Sequence, residues 1–390
     1  LILGRQKQVA FSEIFHYFGE GDILFCGEDA VVVSGAEAGE SGACFLGGAP
    51  KSGILIGSLD RLDAQKVCDF ILKFRTEEKK FNFGISFYDL GKKPLDQKQL
   101  FAFGLSVKKN LKAKGVSSRY VSSKSGNLSS VDVVKNNLLK DGVELCLLFS
   151  EKEILIGKTE SVQPYEEYSE RDFERPWRDA KRGMIPPKLS RSMINMSCSK
   201  KGDLILDPFC GIGTIAQEAL LMGFRVIGSD VDERAILGAR KNLDWLEKKN
   251  LFKKDCLKLL VCDSRKLVEK IEANSIDSVV TEPDLGPPLL GDETDKKILS
   301  IERSLFEFYI DSMAGIFSVL KKGGRAVVVF PYFAKKDIFV GNLSEFSGFR
   351  VINPYSERFE KKFELSRRKT LVYGREGQSV FREIVIFEKI

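Results

Sequence analysis

Residues 281–288, TEPDLGPP, set two carboxylates, Glu282 and Asp284, on either side of Pro283, directly after the apolar run SIDSVV. A carboxylate in a proline-stiffened loop is a hydrogen-bond acceptor held in one place. Upstream, LDPFCGIGT (206–214) sets Asp207 and Pro208 ahead of Gly211 and Gly213. Glycine lets a backbone approach a ligand more closely than any residue with a Cβ. The segment after the glycines reads as a helix, whose first N–H groups have no partner within it. Two further acids, Asp230 and Asp263, close the apolar stretches RVIGSD and KLLVCD. Three acids at the ends of successive strands beside a glycine loop suit a nucleoside: Asp230 for ribose hydroxyls, Asp263 for a base amine. Each acid alone reads first as a loop or cap residue. The chain has one histidine, His16. That argues against a zinc site or a His-based triad, and no metal is expected.

These residues need a scaffold that brings strand ends together, and the second half of the chain supplies one. DLILD (203–207), RVIGSD (225–230), KLLVCD (258–263), SIDSVVTE (275–282) and RAVVVFPYF (325–333) read as strands. Helices are expected at 214–223, 233–249 and 299–324. Strands alternating with helices of this length predict a parallel sheet covered on both faces. REIVIFEK (382–389) reads as a last, antiparallel strand. The first half reads as α+β, with short strands in ILFCG, AVVVSG and FGISFYDL and helices in LDAQKVCDFILKF and FAFGLSVKKNLKAK. SVQPYEEYSERDFERPWRD (161–179) is polar and aromatic with two prolines and reads as a linker.

The 390 residues predict two or three domains, and 43% hydrophobic with 30% charged residues is ordinary for a globular protein. No apolar run approaches the roughly 18 residues that span a bilayer. Eight cysteines, none in a C-x-x-C pair, fit reduced thiols in a cytoplasmic protein. Net charge is +6, but basic residues cluster. One block holds Lys108, Lys109, Lys112, Lys114, Arg119 and Lys124; a second holds Lys181, Arg182, Lys188, Arg191, Lys200 and Lys201. A third, Arg358 to Lys369, is partly offset by glutamates. Such blocks read either as solvated surface or as contacts to a polyanion.

The glycine loop also fits G-x-G-x-x-G/A, with Ala216 last, which would suggest a nicotinamide dinucleotide. Asp207 beside the loop would repel a pyrophosphate and accept a cationic sulfonium. LDPFCGIGT, GSDVD, CDS and EPDLG, in this order, resemble the S-adenosylmethionine motifs of amino-methyltransferases. RPWRDAKRGMIPPKLSRSMINMS (175–197) is similar to the stretch preceding the cofactor loop in the THUMP-domain tRNA guanine-N2 methyltransferases. Residues 111–148 resemble the THUMP module, and LILGRQKQVAFSEI the N-terminal segment of that family.

The resemblance implies an α/β chain with a C-terminal Rossmann-like methyltransferase domain built on a seven-stranded, mostly parallel sheet. It implies a ferredoxin-like α+β domain over 1–80, an RNA-gripping THUMP domain over 81–160, a linker over 161–185 and the methyltransferase domain over 186–390. S-adenosylmethionine would be held by Asp207, Pro208, Phe209, Gly211, Gly213, Thr214, Asp230, Val231, Asp263 and Ser264. Glu282, Pro283 and Asp284 would catalyse, and the first basic block would bind tRNA. The product would carry a methyl on a guanine N2. Methylation of an adenine N6 in DNA or rRNA, or tRNA binding without turnover, are the alternatives. Some members of the family work with a small activating subunit; otherwise a monomer is expected.

The likeness departs from pattern at one place. The usual loop is Asp/Asn-Pro-Pro-aromatic, and here it is Glu282-Pro283-Asp284-Leu285. Leu285 cannot stack on a base as an aromatic ring does. Tyr332, Phe333 and Trp177 are candidates for that stack, each equally suited to core packing.

Overall fold

The computed structural model describes residues 1–35, 42–75, 81–124, 126–178, 184–249, 251–289, 293–375 and 377–390. The chain divides into two compact units. One holds Leu1–Phe11 and Phe18–Glu167, the other Ser12–Tyr17 and Tyr168–Ile390.

In the first unit, α1 (Lys7–Phe18, whose Ser12–Tyr17 count with the second unit) precedes a hairpin of β1 (Ile23–Cys26) and β2 (Val31–Val33). There follow β3 (Lys51–Leu59), α2 (Ala64–Leu72), β4 (Phe81–Asp89), α3 (Gln97–Ala113), β5 (Ser118–Val121), α4 (Ser130–Lys135), β6 (Val143–Phe149) and β7 (Ile154–Val162). Five strands form one sheet in the order β3-β7-β6-β4-β5. β4 runs parallel to β5 and β6; β7 is antiparallel to β3 and β6. Asp63 and Asp96 cap α2 and α3. These helices bury Val67, Ile71, Leu100, Val107 and Leu111 against Phe83, Ile85 and Leu145 of the sheet.

Residue 80, the expected domain boundary, falls inside this unit. β3 pairs with β7 along its whole length, and buried Lys51 on β3 sits 2.6 Å from Glu144 on β6. Ser86 and Thr159 donate to the same carboxylate at 2.6 and 2.7 Å. A buried pair closed by hydrogen bonds on this scale ties β3, β4, β6 and β7 into one body. Pairings of such sequence separation leave no local mark, so the chain gave no hint that residues 51–59 were a strand of the later sheet.

In the second unit, α5 (Tyr165–Ser169) and α6 (Pro187–Met196) lead into β8 (Leu204–Asp207), α7 (Thr214–Leu221), β9 (Arg225–Asp230), α8 (Glu233–Glu247), β10 (Leu257–Val261) and β11 (Ile276–Thr281). Then come α9 (Asp295–Val319), β12 (Leu320–Phe333), β13 (Ile338–Phe339), β14 (Phe349–Ile352), α10 (Glu357–Glu360), β15 (Leu371–Tyr373) and β16 (Phe381–Lys389). The main sheet path is β10-β9-β8-β11-β12-β16-β14, with β13 and β15 on its margins. The first five strands are parallel, and β16 is antiparallel to both β12 and β14. The parallel core is as expected, but among the described residues the sheet has nine strands, seven of them on the main path, where seven were expected in all. α9 starts earlier than its apolar spacing suggested because Thr294 caps it, and LKKGG belongs to β12 rather than to the helix end.

The stretch expected to be a linker is largely built into this unit from Tyr168 onward. Arg171 is buried, and its Nε donates to Oε1 of Glu218 on α7 at 2.7 Å. Arg191 of α6 reaches the other oxygen at 3.0 Å. Glu13 accepts from Ser192 and Asn195 at 2.9 and 2.6 Å. Trp177 packs on Gly238 of α8, where a Cβ would lie 2.6 Å from the indole, and the Trp177 backbone N–H donates to Asn242 Oδ1 at 2.8 Å. Two buried guanidinium groups thus converge on one buried carboxylate. Glu218→Gln is expected to cost about 3–5 kcal/mol, because it takes a shared counter-charge from two buried cations; chemical denaturation of the two proteins measures it.

Candidate active site

β8 lies between β9 and β11, so the chain reverses its progress across the sheet at this point. In open α/β sheets ligands bind where strand order reverses, at the carboxyl ends. Asp207 ends β8 and Thr281 ends β11, and the Thr281 hydroxyl donates to Asp207 Oδ1 at 2.7 Å. Asp207 is 1% exposed and also accepts from the Phe209 N–H at 3.3 Å. Burial pushes its carboxyl up to about 7; Asp230 and Glu282 add to the rise, and the two hydrogen bonds oppose it.

The glycine loop is fixed from several sides. Cys210 N–H donates to Ser229 O at 2.9 Å and Gly213 N–H to Cys210 O at 2.7 Å. Gly211 N–H donates to Asp230 Oδ2 at 3.0 Å, and Asn242 of α8 donates to Ile212 O at 3.0 Å. Gly211 and Gly213 have φ of 50° and 89°, the left-handed region. Their surroundings differ. A Cβ on Gly213 would sit 3.3 Å from Ala239 of α8, whereas one on Gly211 meets nothing within 4 Å. Gly213 therefore serves helix packing, and Gly211 fronts open space. Thr214 Oγ1 accepts from Arg175 at 2.8 Å, so this hydroxyl is anchored from behind. Phe209, after Pro208, packs edge-on to Phe308 at 5.6 Å.

The remaining predicted cofactor residues fall into two groups. Asp230 ends β9, takes Gly211 N–H on one oxygen and Asp232 N–H at 2.9 Å on the other, and Val231 beside it is 71% exposed. An apolar side chain left open next to a ligand loop is a ready surface for a flat ring. Asp263 and Ser264 are placed otherwise. Arg265 grips the Asp263 carboxylate at 2.6 Å, holding it below its usual range, and the Arg265 N–H binds it too. The Ser264 hydroxyl is buried and donates to Ser312 of α9 at 3.0 Å. Of these two, the Asp263 carboxylate is a helix cap paired with its own neighbour, and the Ser264 side chain packs α9.

TEPDLGPP leaves β11 beside Asp207. Pro283 is buried, Asp284 is exposed, and the Asp284 carboxylate accepts from Gly286 N–H at 3.0 Å to close a turn. The buried Tyr309 hydroxyl of α9 donates to Asp284 O at 3.0 Å. Glu282 points inward and is gripped by Arg382 of β16: Nε lies 2.5 Å from Oε2 and Nη2 3.0 Å from Oε1. Their side chains are 10% and 11% exposed. Thr281, Tyr309 and Arg382 were all missed in the sequence. Arg382 opens a strand that was recognised, but a charged residue at a strand end reads as solvated. The stacking candidates are committed elsewhere: Phe333 is in the core, Tyr332 stacks on Phe339 at 4.2 Å, and Trp177 covers α8.

The basic blocks resolve unequally. Lys108, Lys109 and Lys112 are exposed along α3 and border a groove with Leu105 and Ser117. Arg119 and Lys124 are also exposed, and Lys114 pairs with Asp69. The second block is not one surface. Arg191 is buried on Glu218, Lys188, Lys200 and Lys201 are exposed, and Lys181 and Arg182 lie outside the described residues. In the third, Arg368 is drawn inward to Glu383 at 3.3 Å.

Residues 175–332 match the family model described as RMKL-like, methyltransferase domain. This match falls wholly within the second unit. The second unit carries a methyltransferase domain. A DNA methylase model also matches, over residues 56–241, crossing from one unit to the other and stopping short of Glu282. The chain is 36% identical over 155 residues to a tRNA (guanine(10)-N2)-dimethyltransferase of Methanothermobacter thermautotrophicus, covering 39% of this chain and 40% of that protein. It is 30% identical over 188 residues to the Pyrococcus abyssi protein of the same name, covering 48% of each. The chain thus spans about half the length, or less, of these curated relatives. The crystal structure of TrmN from Thermus thermophilus shares the fold, with a TM-score of 0.52 and 19% identity over 100% of this chain and 98% of that one.

The methyltransferase domain buries an acid whose carboxyl is raised, and that has a sign. An unfolded Asp ionises near 3.8, while Asp207 keeps its proton to about 7. Over that window the unfolded state binds fewer protons, so stability falls as pH rises from about 4 to about 7 and then levels. The loss is on the order of 4 kcal/mol. Asp207→Asn is expected to remove this slope in denaturation curves taken across the same range.

Proposed function

We propose that the chain transfers a methyl group from S-adenosylmethionine to the exocyclic N2 amine of a guanine in tRNA. The observation that carries this reading is Glu282, a carboxylate at the end of β11 next to the glycine loop of β8. Two curated relatives with tRNA guanine-N2 dimethyltransferase names support it. The free thiols of all eight cysteines and the absence, among the described residues, of a helix able to cross a membrane fit work in the cytoplasm.

The residues present fit the cofactor. Gly211 faces open space, Val231 offers an apolar surface, and Asp230 holds the loop with acceptor capacity to spare for hydroxyls. α7 begins at Gly213 with no side-chain cap, leaving N–H groups at the loop. When bound, S-adenosylmethionine supplies a methyl group on a cationic sulfur, open to direct displacement by an amine. Asp207, poised near neutrality, becomes a counter-charge for such a cation when ionised. Glu282 accepts hydrogen bonds from the amine protons. The guanine N2 lone pair is delocalised into the ring, and an acceptor on its N–H localises it and aligns the nitrogen. Tyr309 keeps the Asp284 backbone in place beneath the base. The exposed lysines of α3 supply a basic surface for the tRNA backbone. Adenine N6 methylation is the second reading, since a DNA methylase model matches part of the chain.

Two tests follow. Gly211→Asp should preserve the fold, because its side chain enters open space at a φ that Asp tolerates, and should weaken S-adenosylmethionine binding at least tenfold by calorimetry. Unchanged affinity would move the cofactor away from this loop. For the reaction, unmodified tRNA incubated with protein and cofactor is digested and analysed by nucleoside mass spectrometry. N2-methylguanosine is expected, and about a 100-fold or greater loss of rate in Glu282→Ala with cofactor binding intact. N6-methyladenosine would install the second reading. Binding of both ligands with no methylated nucleoside would make the protein a tRNA binder without turnover.

A further inference from the structure

Glu282 sits in an acidic setting. Asp207 from β8 and Asp230 from β9 stand on one side, Asp284 follows on its own loop, and the Tyr309 phenol from α9 is held protonated by burial and by Glu282 and Asp284. Against these, Arg382 from β16 brings a guanidinium. Burial works against its charge, and the Glu282 carboxylate more than offsets that, leaving Arg382 more firmly protonated than a free arginine; the Tyr373 hydroxyl of β15 stands nearby. The contact is a two-point fork, one nitrogen to each oxygen, and both side chains are nearly closed off from solvent.

Such a fork does more than balance charge. A free Glu side chain turns about three bonds, and a loop carboxylate on that arm would sample many directions. Two parallel N–H···O bonds fix both its position and its plane. A carboxylate has about four lone-pair sites, and the fork takes two. Arg382 therefore decides which acceptors remain for an incoming amine and where they point. Arg382 is paired with Pro331 of β12 in the antiparallel ladder, so the grip comes from a rigid sheet rather than a loop. The reach also accounts for the residue type: the extra methylene of Glu over Asp carries the carboxylate toward β16.

We infer that Arg382 is a positioning residue for the proposed methyl transfer: through its fork it holds the Glu282 carboxylate in the one orientation that accepts the amine protons of the base. This rests on the reading of Glu282 as the acceptor.

The test compares wild type, Arg382→Gln, Arg382→Lys, Glu282→Gln and the double variant Glu282→Gln/Arg382→Gln. Cofactor affinity, tRNA affinity and the single-turnover rate of methyl transfer are measured for each. Arg382→Gln should keep both affinities within about twofold and slow transfer about 100-fold, the cost of a reacting group misplaced by about an ångström. Arg382→Lys, with charge but no fork, should recover part of that loss. In the Glu282→Gln background, Arg382→Gln should slow transfer no further, because the group it positions is already gone. A wild-type rate in Arg382→Gln overturns the inference. So does an equal further loss in the Glu282→Gln background, which would mean direct action on the substrate, and so does a loss confined to tRNA affinity. Should Arg382→Gln lose cofactor binding through misfolding, Arg382→Lys decides: a loss of about tenfold supports the role and an unchanged rate overturns it. Wild-type protein that methylates no guanine sinks the functional reading itself, whereas active wild type with an equally active Arg382→Gln sinks only the role of Arg382.

Discussion

A single hydrogen bond between Thr281 and the buried Asp207 joins the two strand ends on which the candidate site is built. The strands lie on either side of the point where sheet order reverses. Each strand then runs straight into a loop of the candidate site: Pro208 to Gly213 after β8, Glu282 to Pro288 after β11. Register makes the meeting possible, since Ser278 pairs with Ile205 and Val279 with Leu206, which leaves the two strand ends close together. The cost is a carboxyl taken out of water and left close to two others. Its raised pKa expresses that cost, and the Thr281 and Phe209 hydrogen bonds offset part of it.

Charge is distributed by task rather than by overall balance. The switch point gathers Asp207, Asp230 and Glu282, a field suited to a cationic ligand and to hydrogen-bond donors on a base. The same field opposes a polyanion, so the nucleic-acid affinity that the proposed reaction requires would have to come from other surfaces. The exposed lysines of α3 are such a surface: they follow one another at helical spacing and carry no acidic neighbour between 101 and 131. Basic residues inside the second unit do different work. Arg171 and Arg191 meet on Glu218, Arg265 caps its own turn through Asp263, and Arg368 turns to Glu383. Counting cations along the sequence could not separate these uses, because the partners lie from two to dozens of residues away.

That difference in range explains what the sequence revealed. β8, β9, β10 and β11 were legible within a few residues, since each is a compact apolar run ended by an acid or a polar turn. Gly211, Gly213 and Asp230 were legible because a left-handed loop beside a strand end needs glycine and an acceptor. The β3–β7 pairing was not legible, because nothing at residues 51–59 marks a partner about a hundred positions later. The expected linker, 161–185, contains the division between the units at Glu167/Tyr168, but its later part packs into the second unit. Arg171 and Trp177 look polar and mixed in a list, yet Arg171 meets the buried acid of α7 and Trp177 an amide and a glycine gap in α8. Asp263 read as a ligand acceptor by position; in the fold its carboxylate caps the turn that follows and pairs with Arg265, two residues on.

The TEPDLGPP loop is the place where local reading and tertiary structure diverge most. Judged by its own residues, EPDL replaces a short acid, a proline and an aromatic, and reads as damage. In the fold each change has a specific consequence. The longer acid is gripped by a fork from β16. The Asp in place of the second proline uses its carboxylate to cap Gly286 and its carbonyl to receive Tyr309, so the turn is held by hydrogen bonds where a proline ring would hold it by covalent geometry. A loop that had merely drifted would have no reason to bury Pro283, seat a phenol under its backbone and bury an ion pair at its first residue, since a buried pair that loses either member leaves a costly lone charge. The aromatic lost at Leu285 has no such replacement in Tyr332, Phe333 or Trp177, all of which are engaged elsewhere. The orienting part of the loop is therefore supplied from outside it by Arg382 and Tyr309, and under the proposed reaction base recognition would lean on hydrogen bonds to a fixed carboxylate more than on stacking.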